Sequence, residues 1–144
     1  MVQQDTIKLL RECDAGVKMG VSSIEDVLDS VHSPKLKKRL TQCKDEHCKL
    51  NGEIQSLLQQ YGDEGKKPSA IATSMSKMKT GVKLGLDETD ATVADLITDG
   101  CNMGVKSLNR YLNQYKAADE VSKDITKRLI KQEEQLAREI RGFL

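Results

Sequence analysis

The chain has 144 residues, with 23 Lys+Arg against 22 Asp+Glu, three Tyr, one Phe and no Trp. That length makes one domain, 1–144, large enough to bury a core without disulfides or metals. Scarce aromatics exclude a module that stacks on bases or sugars, two prolines exclude a turn-rich β-sandwich, and a net charge of +1 excludes a nucleic-acid binder working through bulk charge.

Charges at Asp5, Lys8, Arg11 and Glu12 interrupt the apolar runs of the N-terminus, and no later stretch reaches the roughly 18 apolar residues a bilayer span needs. A soluble, cytoplasmic protein without stable membrane insertion is expected. Ile7, Leu10, Asp14, Val17, Val21, Ile24, Leu28 and Val31 recur at three- and four-residue spacing, which is one face of a long helix. Ser33 and Pro34 then supply a cap and a first-turn proline. The second helix carries Leu36, Leu40, Cys43, His47, Leu50, Ile54, Leu57 and Tyr61 on one face, and Gly62 stops it. The short link makes these two helices an antiparallel hairpin over about 5–62.

A polar stretch, Gly62 to Pro68, opens a connector over about 63–87, in which Ala70 to Leu84 reads as a short helix containing Met75 and Met78. The second hairpin covers about 88–144. Its third helix has the seam Ala94, Thr98, Cys101, Val105, Leu108, Leu112 and Tyr115. Asp119 caps a fourth, with Val121, Ile125, Leu129, Gln132, Leu136, Ile140 and Phe143 facing in. The halves also repeat. Gly16 to Ile24 matches Gly100 to Leu108 at Gly, Met, Gly, Val and Ser, and Lys38-Arg39-Leu40 matches Lys127-Arg128-Leu129 with a small shift in register. The expected fold is all-α: two helical hairpins joined by a long crossover, the topology of ferritin-like bundles.

Leu9 to Gly16 (LLRECDAG) and Tyr115 to Asp119 (YKAAD) resemble segments of uncharacterised bacterial ferritin-like four-helix-bundle proteins, and the likeness extends over nearly the whole chain. It implies architecture rather than activity. Ferritin-like di-iron proteins carry one Glu on each of two helices and Glu-x-x-His on the other two. No Glu-x-x-His occurs here, and His32 and His47 are the two histidines, with His32 in an interhelical turn. The standard di-iron ligand set, and with it oxidase and iron-storage chemistry, is therefore not expected.

The central turns offer another set. Cys43 and His47 share a helix face at i and i+4, and Cys101 approaches them across the core. Two thiols, one imidazole and a water would suit zinc or iron at a nonstandard site. The blander expectation is reduced, buried thiols and a hydrogen-bonded His47 meeting Gln132. Asp14 reads as a seam-edge carboxylate paired with a Lys, and no Ser-His-Asp or Cys-His nucleophile can be assembled. Gly16, Gly20, Gly100 and Gly104 each cost up to about 1 kcal/mol in a helix interior, so they should mark close packing, inside the bundle or between subunits of a homodimer. The basic run Lys35 to Arg39 reads as a solvated face. The function expected is a non-enzymatic structural or interaction protein without a catalytic or cofactor site. The alternatives are a metal-binding or redox protein using His47, Cys43 and Cys101, and a small-ligand binder with a pocket beside the crossover.

Overall fold

The computed structural model describes residues 2–68, 77, 80–81, 83–85 and 87–144. The described residues form helices α1 (Val2–Leu28), α2 (Pro34–Gln60), α3 (Asp90–Gln114) and α4 (Glu120–Glu139), followed by a 3-10 turn at Arg141–Phe143. No strand occurs among them. Each start is chemically specified. Ser33 Oγ accepts from the Leu36 N–H with Pro34 in the first turn, Thr89 Oγ1 accepts from Thr92 N–H, and Asp119 Oδ1 accepts from Ser122 N–H. Gly62, at φ +68°, ends α2 and lets the Asp63 N–H reach back to the Leu58 carbonyl.

Cross-chain contacts at the two ends establish the course of the helices. The Ala117 N–H donates to Asp5 and the Asp119 N–H to Thr6, so α3 ends and α4 begins beside the start of α1. The His32 and Ser33 N–H groups donate to Asp90, so α3 begins at the α1–α2 turn. The four helices therefore run up, down, down, up. Helix α1 packs on α2 and α3, and α4 packs on α2 and α3, all antiparallel. The connector must travel the length of the bundle to make this possible. Lys66 meets Glu12, Lys77 meets Asp26 and Lys83 meets Asp95 along the way. Met75 and Met78, and most of the expected connector helix, lie outside the described residues.

The core consists of two apolar clusters stacked along the bundle. One gathers Ile24, Val27, Leu36, Leu40, Val93, Ile97, Leu136 and Ile140; the other gathers Leu10, Val17, Leu50, Ile54, Leu58, Leu108, Ile125 and Leu129. Most expected seam residues lie inward, with local rotations. In α1, Val27 is buried in place of Leu28, and in α2 Leu58 in place of Leu57. In α4, Val121 is 56% exposed while Ser122 is buried. Spacings of three and four both satisfy helical periodicity, so a face one residue to the side fits the same pattern.

Candidate functional site

Between the two clusters each helix contributes one position to a common layer: Gly20 from α1, His47 from α2, Gly104 from α3 and Glu133 from α4. His47 is 1% exposed and Glu133 8%. The His47 Nε2–H donates to Glu133 Oε1 at 3.0 Å, and Cys43 Sγ lies 3.6 Å from Nδ1. Burial pulls the His47 imidazole down, but the hydrogen bonds to Cys43 and Glu133 overcome it and push it up to about 10. The layer is thus an imidazolium–carboxylate pair held in the buried core. Such a pair is tolerated because each charge finds its partner; deleting one partner strands the other and costs about 3–5 kcal/mol.

The expected partner of His47, Gln132, is corrected to Glu133. Gln132 lies one residue around α4, half-buried, with its Oε1 unpaired. Glu133 carries no mark in the chain that separates it from the other acidic residues of α4. What points to it is the pair of interior glycines. A Cβ on Gly20 would lie 3.1 Å from His47 Cδ2 and 3.2 Å from its Nε2, and one on Gly104 would lie 3.5 Å from Glu133 Cδ. Gly20 therefore makes room for the imidazole, and Gly104 seats the carboxylate at ordinary contact distance. The expectation of close packing holds there for a different reason than helix–helix approach. A Cβ on Gly16 would lie 3.9 Å from Leu129 Cδ2, an ordinary contact, and one on exposed Gly100 would meet nothing within 4 Å, so neither glycine is required by packing in the chain.

Cys43 and Cys101 border the same layer. Burial raises the Cys101 thiol, and Glu133, which is hydrogen-bonded to it, raises it further. Cys13 is buried elsewhere, 3.2 Å from Thr126 Oγ1, and burial pushes its thiol up to about 12. Cys48 is exposed, and all four thiols are free. The structure thus brings together the three sequence candidates Cys43, His47 and Cys101 and adds Glu133. The donors do not converge, however: the sulfur of Cys43 and the carboxylate of Glu133 lie at opposite nitrogens of one imidazole ring. Among the described residues no group of three or more Cys, His, Asp or Glu is arranged to hold a metal ion.

Asp14 is the second buried carboxylate, at 0% exposure. It accepts from Lys18 Nζ at 2.7 Å, as the expected lysine pairing requires, and also from Gln55 Nε2 at 2.6 Å and the Lys66 N–H at 2.9 Å. It is corrected from a seam-edge to a fully covered position, because the start of the connector lies over it. Gly65, at φ +93°, passes so close that a Cβ there would stand 2.3 Å from Asp14 Oδ2. Asp14 has no access to a substrate and serves as the anchor of the connector. The basic run is also corrected in one residue: Arg39 is half-buried and paired with Glu139, while Lys35, Lys37 and Lys38 stay exposed.

No family model, curated protein or solved structure matches the chain. No helix among the described residues is long and apolar enough to cross a membrane.

Proposed function

We propose that the chain is a ferritin-like bundle, made by doubling one helical hairpin, that acts as a structural or interaction protein and does not use the di-iron chemistry of that fold. The observation that carries this reading is the filled central layer. The place where four helices converge is occupied by the His47–Glu133 pair, with Gly20 and Gly104 closed around it. The up-down-down-up course with one full-length crossover supports the ferritin-like assignment. The doubled hairpin is supported by the matching segments Gly16 to Ile24 and Gly100 to Leu108.

A second reading draws on the same layer. Cys43, His47, Cys101 and Glu133 are chemically able to bind zinc or iron if the imidazole turns and the thiols lose their protons, which the raised Cys101 thiol opposes. Metal analysis of protein purified without chelator, before and after incubation with zinc and with ferrous iron, separates the two. Well below one equivalent of retained metal is expected. Stoichiometric metal that disappears in His47→Ala would overturn the first reading and establish the second.

A further inference from the structure

One face of α3 carries a charge pattern that its own chain leaves half answered. Asp95, Asp99, Met103, Lys106 and Arg110 follow one another at steps of four, four, three and four residues, which sets them in a single stripe along the helix. The stripe faces outward: Asp99, Met103, Lys106 and Arg110 are exposed, and the Asp95 side chain is half-exposed. Asp95 and Asp99 are like charges one turn apart, and so are Lys106 and Arg110. Like charges at that spacing oppose helix formation. Asp99 and Lys106 stand two turns apart, beyond the spacing at which neighbours on one helix pair. The helix macrodipole does not account for the order either, because it acts within the first and last turns, and Asp99 and Lys106 lie mid-helix.

The acidic pair is answered inside the chain. Lys83 Nζ donates to Asp95 at 2.8 Å, and its charge also acts on Asp99. The basic pair is not: among the described residues no side-chain hydrogen bond or ion pair holds Lys106 or Arg110. Met103 stands between the two pairs at 70% exposure. Val2, Val121 and Leu144, the other large apolar side chains so exposed, lie in the first turn of a helix or beyond α4, whereas Met103 is mid-helix.

A second copy of α3 laid antiparallel along this stripe answers all of these features at once. Asp95 then faces Arg110 of the other copy and Asp99 faces Lys106, and the reverse pairs form by symmetry. Both pairings share one midpoint, between Asn102 and Met103. The twofold axis therefore passes beside the exposed methionine, and the two Met103 side chains cover each other. A parallel copy would set acid on acid and base on base, which the interface rejects.

We propose that this face of α3 is the docking surface for a second copy of the chain, in an antiparallel twofold dimer centred on Met103. The proposal names the partner that the interaction reading leaves open, and it rests on that reading. The stripe occupies about 22 Å of one helix, a smaller contact than an obligate dimer makes, so the dimer is reversible and weakened by salt.

Sedimentation velocity from micromolar to millimolar protein at low salt tests this, with circular dichroism checking the fold of each variant. The wild type should move from 16.0 kDa towards twice that mass as its concentration rises. Asp99→Lys makes both central contacts basic and Lys106→Glu makes both acidic, while Asp95 and its bridge to Lys83 stay in place. Each variant alone should associate at least about tenfold more weakly, because like charges now face each other twice. An equimolar mixture of the two should form a 1:1 heterodimer as tightly as the wild type, since every contact between positions 99 and 106 again joins opposite charges. The double exchange D99K/K106E should restore the homodimer. Met103→Glu, which sets two carboxylates together at the axis, should weaken the dimer like the single charge reversals. A wild type that stays at 16.0 kDa throughout overturns the proposal. So does a dimer that none of the single variants weakens, or a mixture that associates no better than its components. Metal content of the same wild-type preparation keeps the two readings apart: stoichiometric metal overturns the proposed function, and a missing dimer in metal-free protein overturns the choice of partner alone.

Discussion

Replacing glycine by alanine at positions 20, 100 and 104 tests the central layer with one change in three surroundings. All three glycines lie inside helices, where the exchange alone contributes about 1 kcal/mol of stability. At Gly100 nothing lies within 4 Å of the new methyl, so the full gain of about 1 kcal/mol is expected. At Gly104 the methyl meets Glu133 at 3.5 Å, ordinary contact, and the gain again survives at about 1 kcal/mol. At Gly20 the methyl would stand 3.1 Å from His47 Cδ2, short of the roughly 3.5–4.0 Å at which carbon atoms rest. The ring cannot move away freely, because both nitrogens are engaged, by Cys43 and by Glu133. Overpacking of this kind costs about 1–3 kcal/mol, which turns the gain into a net loss of about 1 kcal/mol. Gly20→Ala and Gly100→Ala should therefore differ by about 2 kcal/mol, or about 4–8 °C in melting temperature for a chain of this size. Urea and thermal unfolding followed by circular dichroism measure both. If Gly20→Ala is as stabilising as Gly100→Ala, His47 does not sit against α1 and the layer as described is wrong.

The remaining predictions concern the same pair and the connector anchor. His47 titrates higher in the fold, at about 10, than its ordinary 6.5, so the stability it contributes is present below pH 6.5 and drains as pH rises through about 10. The unfolding free energy of the wild type minus that of His47→Gln should therefore shrink between pH 6.5 and 10, and a constant difference in urea titrations would refute the ion pair. Gly62 and Gly65 both have positive φ, but only Gly65 presses on Asp14. Gly62→Ala should cost about 1 kcal/mol and Gly65→Ala about 3 kcal/mol, as conformational strain and collision add; equal losses in chemical denaturation would show that Asp14 does not hold the connector.

The chain by itself determined the four long helices, the starts of the second and fourth, the stop of the second and the hairpin pairing, because these follow from local chemistry; it carried the fourth helix on through Ile140 and Phe143, where the helix in fact ends at Glu139 and a 3-10 turn follows. Ser33-Pro34, Asp119 and Gly62 act within a turn of where they stand, and apolar spacing selects a helix face without knowledge of what covers it. His47, Cys43 and Cys101 were legible as core residues for the same reason. Their partners were not. Periodicity locates a helix face only to within about one residue, some 100° of rotation, and that is the step between Gln132 and Glu133. Asp14 likewise showed its lysine in the chain, one helical turn away, but not the connector that covers it from a distant stretch. Tertiary packing alone decided which carboxylate meets the imidazole. A buried charge must find its opposite, and which one it finds depends on how helices far apart in the chain rotate against each other.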